Sequence, residues 1–315
     1  MNLILILVGF AFLISGGDLL LKSAVSISLR LRIPKIIIGM TVVSFATSAP
    51  ELIVSVKSAL EGFPDLAVGN IIGSNIANLG LVLGITLLVT KMDVQKSFFT
   101  TDWLVMMIAS FLFYVFMVND LMISFLEGVI LFSSLILFII YLLVYQKDTL
   151  IDEGSDEVSD EGLILSNSKN LMFLILGIVG LWVGSELLIK GAVDAAKDFG
   201  VSERIIGISV VSVGTSIPEL VTSLIAVMKK EKAISLGNLI GSNIFNILAV
   251  IGLTSMITPI NIVEQALSSR DIYWMLAISF SILLLVFLPK KMQLDKKSGA
   301  FLLAIYIVFI YQIFS

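Results

Sequence analysis

Gly39-Met-Thr-Val-Val-Ser-Phe-Ala-Thr-Ser-Ala-Pro-Glu51 returns 168 residues later as Gly207-Ile-Ser-Val-Val-Ser-Val-Gly-Thr-Ser-Ile-Pro-Glu219, and each copy sets one carboxylate in an otherwise apolar segment. The same offset carries Gly69-Asn-Ile-Ile-Gly-Ser-Asn-Ile-Ala-Asn78 onto Gly237-Asn-Leu-Ile-Gly-Ser-Asn-Ile-Phe-Asn246, with no insertion or deletion between the copies. Aligning 39–84 with 207–252 gives 20 identities in 46 positions, more than two apolar segments share by composition alone. The chain contains an internal repeat of the size and kind found in transporters.

Composition places this repeat in a bilayer. With 58% hydrophobic and 14% charged residues and a mean hydropathy of +1.07, the 315-residue chain is too apolar for a soluble domain. A spanning helix needs roughly 17–25 mostly apolar residues. That length predicts ten spans, at 2–21, 36–60, 66–90, 101–118, 123–145, 170–190, 204–228, 235–257, 271–288 and 298–314. The expected fold class is an all-α polytopic membrane protein. The first apolar run lacks a basic flank and is followed by Asp18, so it reads as a retained helix rather than a signal peptide. Cysteine and histidine are absent, which excludes disulfides, thiolate chemistry, haem ligation and the common zinc sites.

The basic residues orient the chain, because Lys and Arg in short loops stay on the cytoplasmic side. With ten helices, fifteen of the 20 basic residues fall on one side and five on the other, which puts both termini outside a cell membrane. Five helices then separate equivalent points of the two copies. An odd number makes the second copy enter from the opposite face, so the expected organisation is two inverted five-helix repeats, 1–145 and 169–315, joined by an acidic cytoplasmic linker at 146–168. The linker lacks the ligand order of an EF-hand loop and reads as a solvated connection.

Four acids lie in or near the spans at matched positions, Asp18 with Glu186 and Glu51 with Glu219. The first two precede Lys22 and Lys190 by four residues, a spacing suited to local ion pairs. Glu51 and Glu219 have no buried base near them in sequence, the nearest cations, Lys57 and Lys229, lying a turn or more further on, and an ionised acid at a helix centre costs about 2.5–3.5 kcal/mol on insertion scales. A bound cation would offset that cost; two protonated, hydrogen-bonded glutamates are the plainer alternative. Pro50 and Pro218 have no N–H to offer the preceding turn, so each helix should break. Ala49 and Ile217, each before a proline, should leave helical torsions. Carbonyls freed at 44–48 and 212–216, beside the hydroxyls there, would be oxygen ligands at membrane depth, tolerated only in a protein-lined or watered cavity. Ser74 with Asn78 and Ser242 with Asn246 are four apart and share a helix face, which adds further oxygens. The motif glycines also allow close helix approach. Carboxylates, carbonyls, hydroxyls and amides are the hard donors calcium prefers, sodium accepts them too, and soft transition metals are disfavoured.

These paired Thr-Ser-x-Pro-Glu and Gly-Asn-x-Ile-Gly-Ser-Asn-Ile-x-Asn motifs resemble the α-repeats of the calcium/cation antiporter superfamily, and the chain is similar to its prokaryotic sodium/calcium exchangers over almost its whole length. The resemblance implies ten helices and exchange of calcium for sodium by alternating access, with no cofactor and no enzymatic activity. It places the central calcium ligands at Glu51 and Glu219 with backbone oxygens of Thr47 and Thr215. Flanking sodium positions would use Ser44, Ser48 and Ser74, and Ser212, Ser216 and Ser242, with Asn78 and Asn246 closing the middle. Ala46 stands where the family usually has glycine, whereas Gly214 keeps it. Asn246 stands where potassium-dependent branches carry an acid, which argues against potassium co-transport. The expected partners are calcium, sodium and the lipid bilayer, with no nucleic acid and no obligate protein partner. A calcium/proton antiporter using the same glutamates is the alternative; a channel and an intramembrane hydrolase fit the residues less well.

Overall fold

The fold is seen in a computed structural model that describes residues 2–146, 164–198, 212–288 and 291–314. The acidic residues of the expected linker and the opening of the expected 204–228 span lie outside the described residues, as does the side chain of Ser212. The described chain is helical: α1 (Asn2–Leu31), α2 (Lys35–Thr47), α3 (Ala49–Leu60), α4 (Pro64–Val89), α5 (Phe98–Asp120), α6 (Phe125–Tyr145), α7 (Asn167–Asp198), α8 (Ser212–Thr215), α9 (Ile217–Met228), α10 (Lys232–Ile257), α11 (Leu267–Phe287) and α12 (Lys296–Phe314). Eight of these are long and apolar enough to cross a membrane, and nine if the bent pair α2 and α3 counts as one span; α9 is apolar but shorter. Large apolar side chains such as Leu3, Phe111, Leu137 and Tyr311 stand exposed. Outward apolar surface of this kind is what a lipid environment accepts.

α1 and α7 outrun the apolar stretches expected for them. Residues 22–31 of α1 contain no glycine or proline, and the chain stays helical until Pro34 approaches. Ala24 and Val25 in that extension are buried.

The chain divides into two compact units, residues 1–50 with 142–238, and residues 51–141 with 239–315, the division falling inside α3 and α10. Each unit draws on both sequence halves.

In the first unit α1 and α7 run antiparallel along a line of glycines. A Cβ built on Gly16 would lie 2.7 Å from the Leu181 nitrogen, and one on Gly184 2.7 Å from the Leu13 nitrogen. Gly184 and Leu181 are the repeat counterparts of Gly16 and Leu13, so the packing is reciprocal. Only a missing side chain permits backbones this close, and the approach gains dispersion energy that lipid cannot supply. Leu13, Leu20, Leu21, Val25, Ile38 and Ala226 centre the core of this unit. Asp18 sits between two cations: it pairs with Lys22 at 2.7 Å and with Lys229, just past the end of α9. Lys35 pairs with Glu231 at 2.8 Å. Glu186 and Lys190, both exposed, form no such pair among the described residues. Exposed ions gain little from pairing. The residue 168 before Lys229 is Glu61, an acid, so the counterpart of Asp18 also lacks the counterpart lysine.

The second unit is similar, with one partner of each contact shifted by three residues from its counterpart. A Cβ on Gly299 would lie 2.7 Å from the Gly84 oxygen, and one on Gly128 2.7 Å from the Gly252 oxygen. Two short antiparallel pairs, β1 (Met92–Asp93) with β4 (Gln293–Leu294) and β2 (Met122–Ile123) with β3 (Ile260–Asn261), repeat the pattern: Met92 faces Leu294, and Ile260, its counterpart, faces Ile123. α4 and α10 are the enclosed helices, with 78% and 83% of their apolar windows buried against 28–39% for the other spans.

Candidate functional site

Both helix breaks are present, and they have one geometry. Ser48 has φ −84° and ψ 2°, and Ser216 has φ −87° and ψ 2°. The axis turns by 44° between α2 and α3. The non-helical torsion falls one residue before the expected one: Ala49 and Ile217 already begin the next helix. Pro50 and Pro218 thereby occupy the first turn, where an N–H would find no intrahelical partner and proline is tolerated. The break also consumes one carbonyl expected to be free, since the Ser48 N–H donates to the Ser44 oxygen at 2.9 Å.

Glu51 and Glu219 follow in the first turns of α3 and α9, each with 0% of its surface exposed. First-turn N–H groups and the positive end of the helix dipole favour negative charge at this position. The break thus opens backbone upstream and sets a carboxylate at a helix start, which eases the burial of that charge.

Among the expected ligands, Thr47, Ser48, Thr215, Ser216 and Glu219 lie in the first unit, all buried. The hydroxyl oxygens of Ser48 and Ser216, and of neighbouring Thr222, have no hydrogen-bond partner among the described residues. Ser44 is committed instead: its hydroxyl lies 2.8 Å from the Gly39 oxygen and 3.0 Å from the Asn238 oxygen. Thr47 Oγ1 donates to Asn238 Oδ1 at 3.1 Å, and Asn238 Nδ2 donates to Ser223 Oγ at 3.3 Å. Ser185 Oγ donates to the Gly214 carbonyl at 3.2 Å, capping an oxygen beside the second break.

The second unit holds Glu51, Ser74, Asn78, Ser242 and Asn246, again all buried. Asn78 and Asn246 each open a π-helical turn, Asn78–Val82 and Asn246–Ile251. Such turns loosen the backbone ladder and recur at functional sites. Neither amide atom of Asn78 has a hydrogen-bond partner among the described residues. Asn246 Nδ2 donates to Asn75 Oδ1 at 3.0 Å, while its own Oδ1 is left unmatched. Asn75 Nδ2 donates to the carbonyl of Asn243 at 3.3 Å, and Asn70 Nδ2 to Ser55 Oγ at 3.1 Å. Each buried polar atom left unmatched costs roughly 1–3 kcal/mol, so these clusters call for water or an ion.

Asn70, Asn75, Asn238 and Asn243 are not among the expected ligands, nor are Ser55 and Ser223, which Asn70 and Asn238 hold. The signal was available: Asn70 and Asn238, Asn75 and Asn243, and Ser55 and Ser223 are all identical across the repeat.

The sequence profile of the family described as sodium/calcium exchanger protein matches residues 1–144 and 169–314. The chain belongs to the sodium/calcium exchanger family. It is therefore a transmembrane ion antiporter and not an enzyme. Among relatives of the exchanger, CaxA of Alkalimonas amylolytica, a candidate antiporter by name, is 36% identical over 99% of this chain and 98% of its own. The sodium/calcium exchanger MaX1 of Methanosarcina acetivorans is 29% identical over 99% and 98%. A solved structure of the sodium-calcium exchanger NCX_Mj, soaked without sodium or calcium, matches this exchanger with a TM-score of 0.82 at 27% identity, covering 99% and 98% of the two chains.

Proposed function

We propose that this exchanger moves calcium against sodium by alternating access, with Glu51 and Glu219 as the carboxylate ligands for which the two ions compete. One observation carries the reading: both acids are fully buried in the first turn of a helix that restarts after a serine-centred break, in two copies 168 residues apart. Two carboxylates with carbonyl, hydroxyl and amide oxygens supply the six to eight hard donors calcium takes, and the same donors accept sodium. The ligand set is Glu51, Glu219, the backbone oxygens of Thr47 and Thr215, and side-chain oxygens of Ser44, Ser48, Ser74, Ser212, Ser216, Ser242, Asn78 and Asn246. Ser44 is the weakest member, because its hydroxyl is already engaged with two carbonyls.

Ten spans in two inverted five-helix repeats, 1–145 and 169–315, fit the antiparallel, reciprocal packing of α1 on α7. Both termini lie outside the cell membrane and the linker lies in the cytoplasm, following the distribution of basic residues. Two ionised glutamates balance one calcium, whereas three sodium ions leave a net positive charge. With three sodium per calcium, the stoichiometry that the family resemblance implies, each cycle moves one charge, worth about 2.3 kcal/mol per 100 mV, and sodium entry drives calcium out. Asn246 removes the extra acid that potassium-dependent branches carry.

The test is calcium-45 uptake into proteoliposomes under separately imposed sodium, potassium and proton gradients. Uptake driven by sodium at fixed pH is expected. Uptake that follows only the proton gradient would establish the calcium/proton alternative.

A further inference from the structure

We propose that Asn238 is a positioning residue for cation binding, holding the broken turn of the first repeat through the side chain of Thr47. This rests on the reading of the Thr47 carbonyl as a ligand.

The backbone brings Asn238 to the break by close helix contact. A Cβ on Gly39 would lie 2.6 Å from the Ile234 oxygen and 3.1 Å from the Asn238 nitrogen, so α2 and the start of α10 touch main chain to main chain. From there Asn238 engages the turn twice. Its carbonyl oxygen lies 3.0 Å from the Ser44 hydroxyl, and its Oδ1 accepts from Thr47 Oγ1 at 3.1 Å. The amide cannot turn freely, because Nδ2 donates to Ser223 Oγ at 3.3 Å. Asn238, Ser223, Thr47 and Ser44 are all fully buried, where a matched chain of hydrogen bonds holds its geometry firmly.

Function follows from where the chain ends. Ser223 orients Asn238, Asn238 holds the Thr47 hydroxyl, and Thr47 lies immediately before the non-helical Ser48. The Thr47 hydroxyl lies 3.4 Å from the Ser44 oxygen as well, so the bond to Asn238 ties the turn before the break to α10, and with it the residue whose carbonyl precedes Ser48. Asn238 therefore acts on the cation through Thr47 rather than by touching it. The pair of asparagine and serine recurs: Asn70 Nδ2 donates to Ser55 Oγ at 3.1 Å, 168 residues earlier and with the same spacing of 15. Removing an outer partner of a metal ligand typically lowers metal affinity about 10–100-fold.

Calcium-45 uptake by proteoliposomes carrying full-length protein, with KM and kcat measured separately, tests this in Asn238→Ala, Thr47→Val, the double variant and Ser223→Ala. Thr47→Val keeps the carbonyl and removes only the hydroxyl. Asn238→Ala and Thr47→Val should each raise KM for calcium by roughly 10-fold with kcat within about twofold of wild type, and the double variant should be no worse than either single one. Ser223→Ala should shift KM in the same direction by a smaller factor, and it still decides the matter if Asn238→Ala fails to fold. Wild-type KM in Ser223→Ala and Thr47→Val, or effects that multiply in the double variant, would overturn the positioning role. Glu51→Gln in the same assay separates the two ideas: if it retains calcium exchange, the ligand reading itself fails.

Discussion

The side-chain amide of Asn246 donates to Asn75 Oδ1 at 3.0 Å, and the amide of Asn75 donates in turn to the carbonyl of Asn243, its own counterpart one repeat later. Contact between a residue and its own counterpart is what the proposed inverted repeats would bring about near their two-fold axis. The bond also orients Asn246: with Nδ2 engaged, Oδ1 is the atom that the proposed ligand role would use.

Asn75→Ala removes both bonds and leaves the buried Asn246 amide unmatched. A loss of about 1–3 kcal/mol is expected, read as a lowered unfolding temperature in detergent together with weakened calcium binding. An unchanged unfolding temperature would show that Asn75 carries no structural load.

The glycine seam predicts a sharper response. A Cβ on Gly16 would meet the backbone of α7 at 2.7–2.9 Å, whereas one on Gly69 would meet only the tip of Leu267 at 3.6 Å. Gly16→Val should destabilise the protein by roughly 1–3 kcal/mol through overpacking, and Gly69→Ala should be neutral or slightly stabilising. Thermal unfolding of the two purified variants compares them directly, and equal behaviour would contradict the close packing of α1 on α7.

Asp18 stands between Lys22 and Lys229 with 30% of its side chain exposed, and Lys229 has 42%. Ion pairs this accessible contribute at most about 1 kcal/mol. Asp18→Asn should therefore lower the unfolding temperature slightly, and Glu186→Gln, whose acid pairs with no lysine among the described residues, should leave it unchanged. A large loss in Asp18→Asn would mean that the pair is far better shielded than its exposure indicates.

What the sequence discloses depends on the range of the interaction. The breaks were legible, because Pro50 and Pro218 act on their own turns. Their placement was off by one residue, because a proline inside the first turn of a new helix satisfies the same rule. The ends of α1 and α7 were missed because an apolar-run criterion stops where charges begin, while the helices run on through charged residues, α7 even through Gly191. The burial of Glu51 and Glu219 was legible from their place in an apolar segment. The amide bonds of Asn75 and Asn238 were not, since they join residues 171 and 191 positions apart and exist only after the helices pack.

Under the proposed function, calcium and sodium compete for the carboxylates of Glu51 and Glu219. Calorimetric titration of calcium into the purified protein at increasing sodium, for wild type, Glu51→Gln and Glu219→Gln, tests it most directly. Competition requires a wild-type calcium Kd that rises steadily with sodium and no measurable calcium binding in either folded variant; a calcium Kd indifferent to sodium, or wild-type binding in either variant, would rule it out.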